Sequence, residues 1–154
     1  MLNYIKIFLI SMVPIVELRG AVLYSQYLEL PIIPSYIVCI LGNMLPVPFV
    51  YFFARKLLIW GSDKPVIGPA CRFLNNKGEL AGQKLTEKAS RRGTFIALLL
   101  FVGIPLPGTG AWTGTLAASI LDMGIKHTAG AVMLGVLLAG IIMMSAGVLG
   151  FSLL

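Results

Sequence analysis

Residues 101–114 read FVGIPLPGTGAWTG and interrupt a long apolar run, and the expected architecture of the chain depends on this interruption. The run extends from Phe95 to Leu121 and is long enough to be embedded in a membrane. Its middle contains two prolines and two glycines, Pro105, Pro107, Gly108 and Gly110. Such residues disfavour a continuous helix, and broken backbone inside a bilayer has to face protein or a water-filled cavity. The sequence therefore predicts that residues 105–110 form the tip of a re-entrant hairpin or the break of a split helix.

The composition is that of a membrane protein. Of the 154 residues, 58% are hydrophobic and 12% are charged, and the mean hydropathy is +0.92. A soluble domain has roughly 25% charged residues and could not bury this much apolar surface. We therefore expect an integral membrane protein with a single membrane domain, residues 1–154.

The positive charge is concentrated in the middle of the chain. Nine of the 12 lysines and arginines lie between Arg55 and Arg92, together with three of the 6 acidic residues. A basic loop between apolar blocks is typical of a cytoplasmic segment, so residues 61–93 are predicted to be cytoplasmic. Within them, Glu79–Arg92 is predicted to form an amphipathic helix that either lies along anionic lipid or faces solvent. The expected partners are the lipid bilayer and its anionic lipids, and no nucleic acid, because aromatic residues are not interleaved with the charges.

The first apolar block, residues 3–28, contains charges that a membrane segment normally excludes. Glu17 and Arg19 lie between Pro14 and Gly20, which predict another break, the first of the two along the chain. Ionisable side chains inside a membrane are costly and usually face a bundle interior or a cavity. Two interpretations stay open: a Glu–Arg bridge that only neutralises the charges, and a functional site.

The two long apolar blocks are predicted to span the membrane. Residues 35–60 should kink near Gly42–Pro48, and Asn43 at mid-depth should find a partner across a helix interface. Residues 127–151 carry small residues every four positions, Ala131, Gly135 and Ala139, which favour packing within the fold over dimerisation.

After the second break, Thr109 is a candidate helix N-cap, and Trp112 is expected to pack in the core.

Residues 3–60 and 94–151 share one layout, a broken block followed by a long span. We therefore expect an all-α integral membrane protein with two inverted repeats. Each repeat is a re-entrant helical hairpin followed by a transmembrane helix, with the basic helical loop between them. The alternative is four full spans with parallel halves; the proline–glycine pairing favours hairpins. Inverted repeats place binding sites between the repeats, which would bring Glu17 and Arg19 next to residues 105–110.

Two stretches carry a family resemblance. PIVELRGAV at Pro14–Val22 and FVGIPLPGTGAWTG resemble the two signatures of the small multidrug export protein family, which is distantly similar to the DedA superfamily. The resemblance implies facing re-entrant hairpins, a prokaryotic inner-membrane location and, by analogy with DedA proteins, movement of lipid phosphates and proton-linked resistance. Glu17 and Arg19 match the acidic and basic pair of the first signature. Unlike DedA proteins, this chain has no charged residue in Phe95–Leu121.

Together these features predict a DedA-like, proton-coupled transporter of a small or lipid-linked substrate with an anionic headgroup. Glu17 would carry the proton, while Arg19 and the amides near Gly110 would bind the headgroup. The alternative is a non-transporting membrane scaffold or assembly subunit in which the Glu–Arg pair is structural. The candidate substrate and proton site comprises Pro14, Glu17, Arg19, Gly20, Asn43, Pro105, Pro107, Gly108, Thr109, Gly110 and Trp112.

Other chemistries are disfavoured. The apolar blocks contain no nucleophile–base pair and no paired carboxylates, so we do not expect an enzyme. Cys39 and Cys71 form no CxxC motif, and His127 is the single histidine, so no metal site and no cofactor are expected. Two hairpins with only two full spans leave surface to cover, which favours a homodimer.

Overall fold

The structure is a computed structural model that describes residues 1–63, 69, 91–106 and 109–152. Regular structure within these ranges is entirely α-helical. The helices are α1 (Leu2–Met12), α2 (Glu17–Tyr27), α3 (Ile32–Met44), α4 (Pro46–Ser62), α5 (Arg91–Gly103), α6 (Ala111–Ile120) and α7 (Ile125–Ser152). Most of the predicted basic loop, including Cys71 and nearly all of the predicted helix Glu79–Arg92, lies outside the described residues. So do Pro107 and Gly108.

Both predicted breaks are present, but the first is shorter than predicted, since it covers residues 13–16 and Glu17, Arg19 and Gly20 belong to α2. The first apolar block divides into α1 and α2, each of 11 residues, and the second into α5 and α6, of 13 and 10 residues. At about 1.5 Å per residue, each of these helices covers roughly half to two thirds of a hydrocarbon core about 30 Å thick. Each of these helices therefore has the length of one arm of a re-entrant hairpin. Their orientation in a membrane, and with it the inverted repeat, stays a prediction.

Within the described residues, two helical stretches are long and apolar enough to cross a membrane, Ile32–Ala54 with 23 residues and Ile125–Gly150 with 26. The first combines α3 with the start of α4, which are separated by Leu45 alone. This interruption lies within the predicted kink region, where Pro46 has no N–H to continue the helical hydrogen bonds. The helix begins at Ile32, earlier than predicted, because Pro34 lies in its first turn, where no amide donor is needed.

The hydrophobic core joins the two halves of the chain. α7 packs against α5 and α2, α1 packs against α3, and α4 packs against α6. Buried side chains from both halves, including Leu18, Val102 and Val136, form one cluster. A Cβ built on Gly135 would lie 2.7 Å from the Cβ of Val102, so the small-residue row of α7 serves packing inside the chain, as predicted.

Candidate functional site

The carboxylate of Glu17 caps helix α6. Its Oε2 accepts a hydrogen bond from the amide of Ala111 at 3.3 Å, and its Oε1 accepts one from the amide of Trp112 at 3.2 Å. The first amides of a helix have no partner within the helix, and a negative charge there is stabilised by the helix dipole. Glu17 is 6% exposed, so this buried charge is satisfied by the other half of the chain.

The carboxylate takes the place of the N-cap that the sequence analysis assigned to Thr109. The N-cap position is occupied by Gly110, and no side chain caps from there. The Gly110 backbone is extended, with φ 161°, a conformation that any residue can adopt. The glycine is needed for space, because a Cβ at this position would lie 2.6 Å from Cδ of Glu17.

The guanidinium of Arg19 caps the end of α5. Its Nη1 donates to the carbonyl of Leu106 at 2.6 Å, and its Nη2 donates to the carbonyls of Val102 at 3.1 Å and Ile104 at 3.3 Å. Carbonyls at a helix C-terminus lack partners and attract cations. One helix, α2, thus holds both ends of the second break. The negative charge of Glu17 contacts the positive N-terminal end of α6, and the positive charge of Arg19 contacts the negative C-terminal end of α5.

Glu17 and Arg19 do not pair with each other in the part of the chain that the structure describes. Each instead binds backbone groups of the second break, so the simple Glu–Arg bridge considered from the sequence is not what is observed. The backbone at the start of α2 is strained. Ile15 and Glu17 have φ of 79° and 52°, in the left-handed region that non-glycine residues avoid. Such strain costs about 1–3 kcal/mol per residue and is typical of functional sites.

Thr109 and Trp112 complete the contacts of the break. The Thr109 hydroxyl accepts from Nη2 of Arg19 at 3.0 Å and lies 2.9 Å from the carbonyl oxygens of Ile104 and Leu106, either of which can accept its proton. Trp112 is half-buried, and its Nε1 donates to the carbonyl of Met12, the last residue of α1, at 3.1 Å. Trp112 therefore ties the second break to the first.

A cavity of about 10 Å³ lies beside the two charges. Its lining includes Glu17, Arg19, Asn43 and Gly110, together with apolar side chains of α5 and α7. This volume is about that of one water molecule. Asn43 is 2% exposed, and its Oδ1 has no hydrogen-bond partner among the described residues. The predicted partner across the helix interface is thus not found for this oxygen in the described part of the chain.

The other predicted site residues take less central positions. Pro14 lies exposed in the connection between α1 and α2, Gly20 packs against Val16, and Pro105 is half-buried in the second break. The residues that the sequence reasoning missed contribute backbone atoms, such as the carbonyl of Leu106 and the amide of Ala111. Backbone atoms have no residue-type signature, so a sequence pattern could not have indicated them.

A larger cavity, of about 440 Å³, lies between α5 and α6. Its lining is almost entirely apolar and includes Leu98, Phe101 and Ala118, with Thr94 as the polar exception. Neither Glu17 nor Arg19 contributes to it. The charged groups are thus confined to the small cavity at the break.

The fold and this site define a helical membrane protein whose two broken segments are joined by a buried acid, Glu17, and a half-buried base, Arg19. Residues 17–142 match the sequence profile of the family described as "Putative small multi-drug export protein". The chain therefore belongs to the small multi-drug export protein family. A comparison with curated proteins found no match, and neither did one with solved structures. The relationship to the DedA superfamily stays a prediction.

Proposed function

We propose that the protein is a proton-coupled membrane transporter in which Glu17 alternates between capping α6 and a protonated, released state. The observation that carries this proposal is the buried Glu17 carboxylate on the amides of Ala111 and Trp112. Hydrogen bonds to an ionised carboxylate are roughly twice as strong as neutral ones. Protonation of Glu17 would therefore weaken the contact that joins the two broken segments.

The structure would then represent the closed state of the cycle. The cavity at the break has room for about one water molecule and for no substrate. Opening requires that Glu17 leave the start of α6 and that Arg19 release carbonyls at the end of α5. Proton binding favours the open state because it weakens a contact made only in the closed one.

The groups that become free on opening suit an anionic headgroup. A helix N-terminus with free amides and a nearby guanidinium is a favourable site for phosphate or carboxylate. In the closed state these donors are occupied by Glu17 and by backbone carbonyls, so an anion would have to replace them. Since the anion and the charged carboxylate compete for the same amides, proton and anion should bind together. This supports a small or lipid-linked anionic substrate, as in the DedA-like type.

The proposal can be tested with purified protein in liposomes that contain a trapped pH-sensitive dye. A short-chain isoprenyl phosphate is added, and proton movement is followed with and without a pH gradient. We expect substrate-dependent proton flux in the wild type and its loss in Glu17→Gln and Arg19→Ala. Glu29→Gln is the matched control, since Glu29 is an exposed acid at the end of α2. Wild-type flux in both site variants would refute the proposal.

The alternative, a non-transporting scaffold, is supported by one observation: Glu17 and Arg19 bind backbone groups at the two ends of the second break, which gives the pair a structural role without any transported substrate. Exchanging the two charges would not separate the alternatives, because each would then face a helix end of the wrong sign. Glu17→Gln does separate them, since an amide oxygen still accepts from α6 but does not take up a proton near neutral pH. A scaffold would keep its cellular function in this variant, whereas a proton-coupled transporter would lose it.

A further inference from the structure

The unpartnered oxygen of Asn43 is the starting observation. Asn43 lies near the end of α3, is 2% exposed and presents Oδ1 without a donor. Buried acceptors in native proteins are nearly always hydrogen-bonded, and each exception calls for an explanation. Asn43 and Glu17 line the same cavity, which makes Glu17 a candidate for the missing donor.

Few donors are available there in the closed state. The described hydrogen bonds of Arg19 all go to the second break, from Val102 to Thr109. An ionised Glu17 offers acceptors only, so it supplies no donor to Oδ1 of Asn43. A protonated Glu17 has one O–H donor and keeps one oxygen as an acceptor.

We propose that Asn43 is the positioning residue for the protonated form of Glu17. The proton comes from the aqueous phase and binds one carboxylate oxygen, and the resulting O–H donates a hydrogen bond to Oδ1 of Asn43 while the proton stays on Glu17. Glu17 would give up one amide of α6 in the same movement, because the protonated oxygen turns towards α3. This inference rests on the proposed function, in which Glu17 takes up a proton, and adds the group that holds the protonated state.

Other ionisable groups do not face the cavity. The titratable side chains on the helices packed against α2 are Tyr4 and Lys6 of α1, Tyr36 and Cys39 of α3, and Lys126 and His127 of α7. None of them lines the cavity, and α6 carries no ionisable side chain. Arg19 is therefore the charged neighbour that Glu17 has in this space.

The first experiment is an infrared titration of the full-length protein in liposomes. The carbonyl band of the protonated acid is assigned by its absence in Glu17→Gln. In Asn43→Leu, which removes the acceptor at similar volume, we expect the midpoint of this titration to move by about 0.5–1 pH unit to lower pH, a roughly three- to tenfold loss of proton affinity. Asn3→Leu, the same replacement at a half-buried position of α1 outside the cavity, should leave the midpoint unchanged.

The direction of the shift decides between explanations. A water molecule that bridges Asn43 to the ionised Glu17 would stabilise the charged form, so its loss would move the midpoint to higher pH. That result, or an unchanged midpoint, would overturn the role of Asn43 and leave the proposed function standing. If Glu17 does not titrate at all, the proposed function fails as well.

Thermal unfolding at alkaline pH is the second measurement and does not depend on the infrared band. With Glu17 ionised, Asn43→Leu should leave the melting temperature unchanged or raise it, because an unpartnered acceptor is removed. In the Glu17→Gln background the introduced amide can donate to Asn43, so the same substitution should lower the melting temperature by about 2–4 °C. Equal effects in the two backgrounds would contradict the proposal.

Discussion

Replacement of Gly110 by alanine tests the Glu17 cap most directly. The added Cβ would lie 2.6 Å from Cδ of Glu17 and 2.7 Å from its Oε1. These distances are far below van der Waals contact, so the carboxylate has to withdraw from the amides of Ala111 and Trp112. The backbone conformation of Gly110 is extended and accepts alanine, so the effect should come from the lost contact.

The expected magnitude follows from the two hydrogen bonds. Each is a bond to a charged group, worth about 1.5–3 kcal/mol, and part of this is recovered if Glu17 finds another arrangement. We therefore expect Gly110→Ala to lower the free energy of unfolding by about 2–4 kcal/mol. For a chain of this size that corresponds to a fall in melting temperature of roughly 5–15 °C.

The assay is thermal unfolding of the purified protein in detergent, with a double-mutant cycle as its control. In a Glu17→Ala background the clash and the cap are both absent. Gly110→Ala should then cost only the difference between glycine and alanine at an N-cap, about 0.5–1 kcal/mol. Gly130→Ala is the control for a glycine-to-alanine change outside the site, since its Cβ would lie 3.4 Å from Phe95, close to an ordinary van der Waals contact. Full additivity in the cycle, or equal effects of Gly110→Ala and Gly130→Ala, would refute the assigned cap.

Three further substitutions test the contacts around the break by the same unfolding assay. Arg19→Lys should cost about 1.5–3 kcal/mol, because an ammonium cannot reach all the acceptors that the planar guanidinium reaches; a neutral result would contradict its capping role. Trp112→Phe keeps most of the ring but loses the bond to Met12 and should cost about 1 kcal/mol, whereas an unchanged melting curve would show that this bond is unimportant. Gly135→Ala should cost about 1–3 kcal/mol, while Gly150→Ala, whose Cβ would meet nothing within 4 Å, should be neutral; equal effects would exclude the close helix contact.

The breaks and the position of the charges could be predicted from the sequence because both follow from single-residue chemistry. Proline removes an amide donor, so Pro105 predicts an interruption in any helical context. Charges in a membrane segment usually face an interior or a cavity, and the repeated layout of the two halves predicts that Glu17 and Arg19 lie next to the second break. The structure brings both side chains to residues 102–112.

The assignment of each charge to one end of the break could not be predicted. Residues two apart on a regular helix point in different directions, and the left-handed conformation of Glu17 that changes this is not encoded by a recognisable residue type. The sequence predicts Thr109 as the N-cap of α6, because the N-cap side chain usually comes from the residue next to the start of the helix. The observed cap is the carboxylate of Glu17, which lies 94 residues before Ala111 in the sequence. Such a contact is determined by tertiary packing and has no local sequence pattern.

The order of the two charges also explains why a costly acid and base occur in an apolar segment. A helix that is broken inside a membrane leaves unpaired amides where the next helix starts and unpaired carbonyls where the previous one ends. One acid and one base satisfy both sets with no net charge, and each is stabilised by the dipole of the helix end it contacts. Because α2 presents Glu17 to α6 and Arg19 to α5, a change that neutralises one of them weakens the contacts at its own end of the break and leaves the other charge unbalanced. Protonation neutralises Glu17 reversibly. In the proposed transport cycle, this protonation therefore controls the opening of the second break.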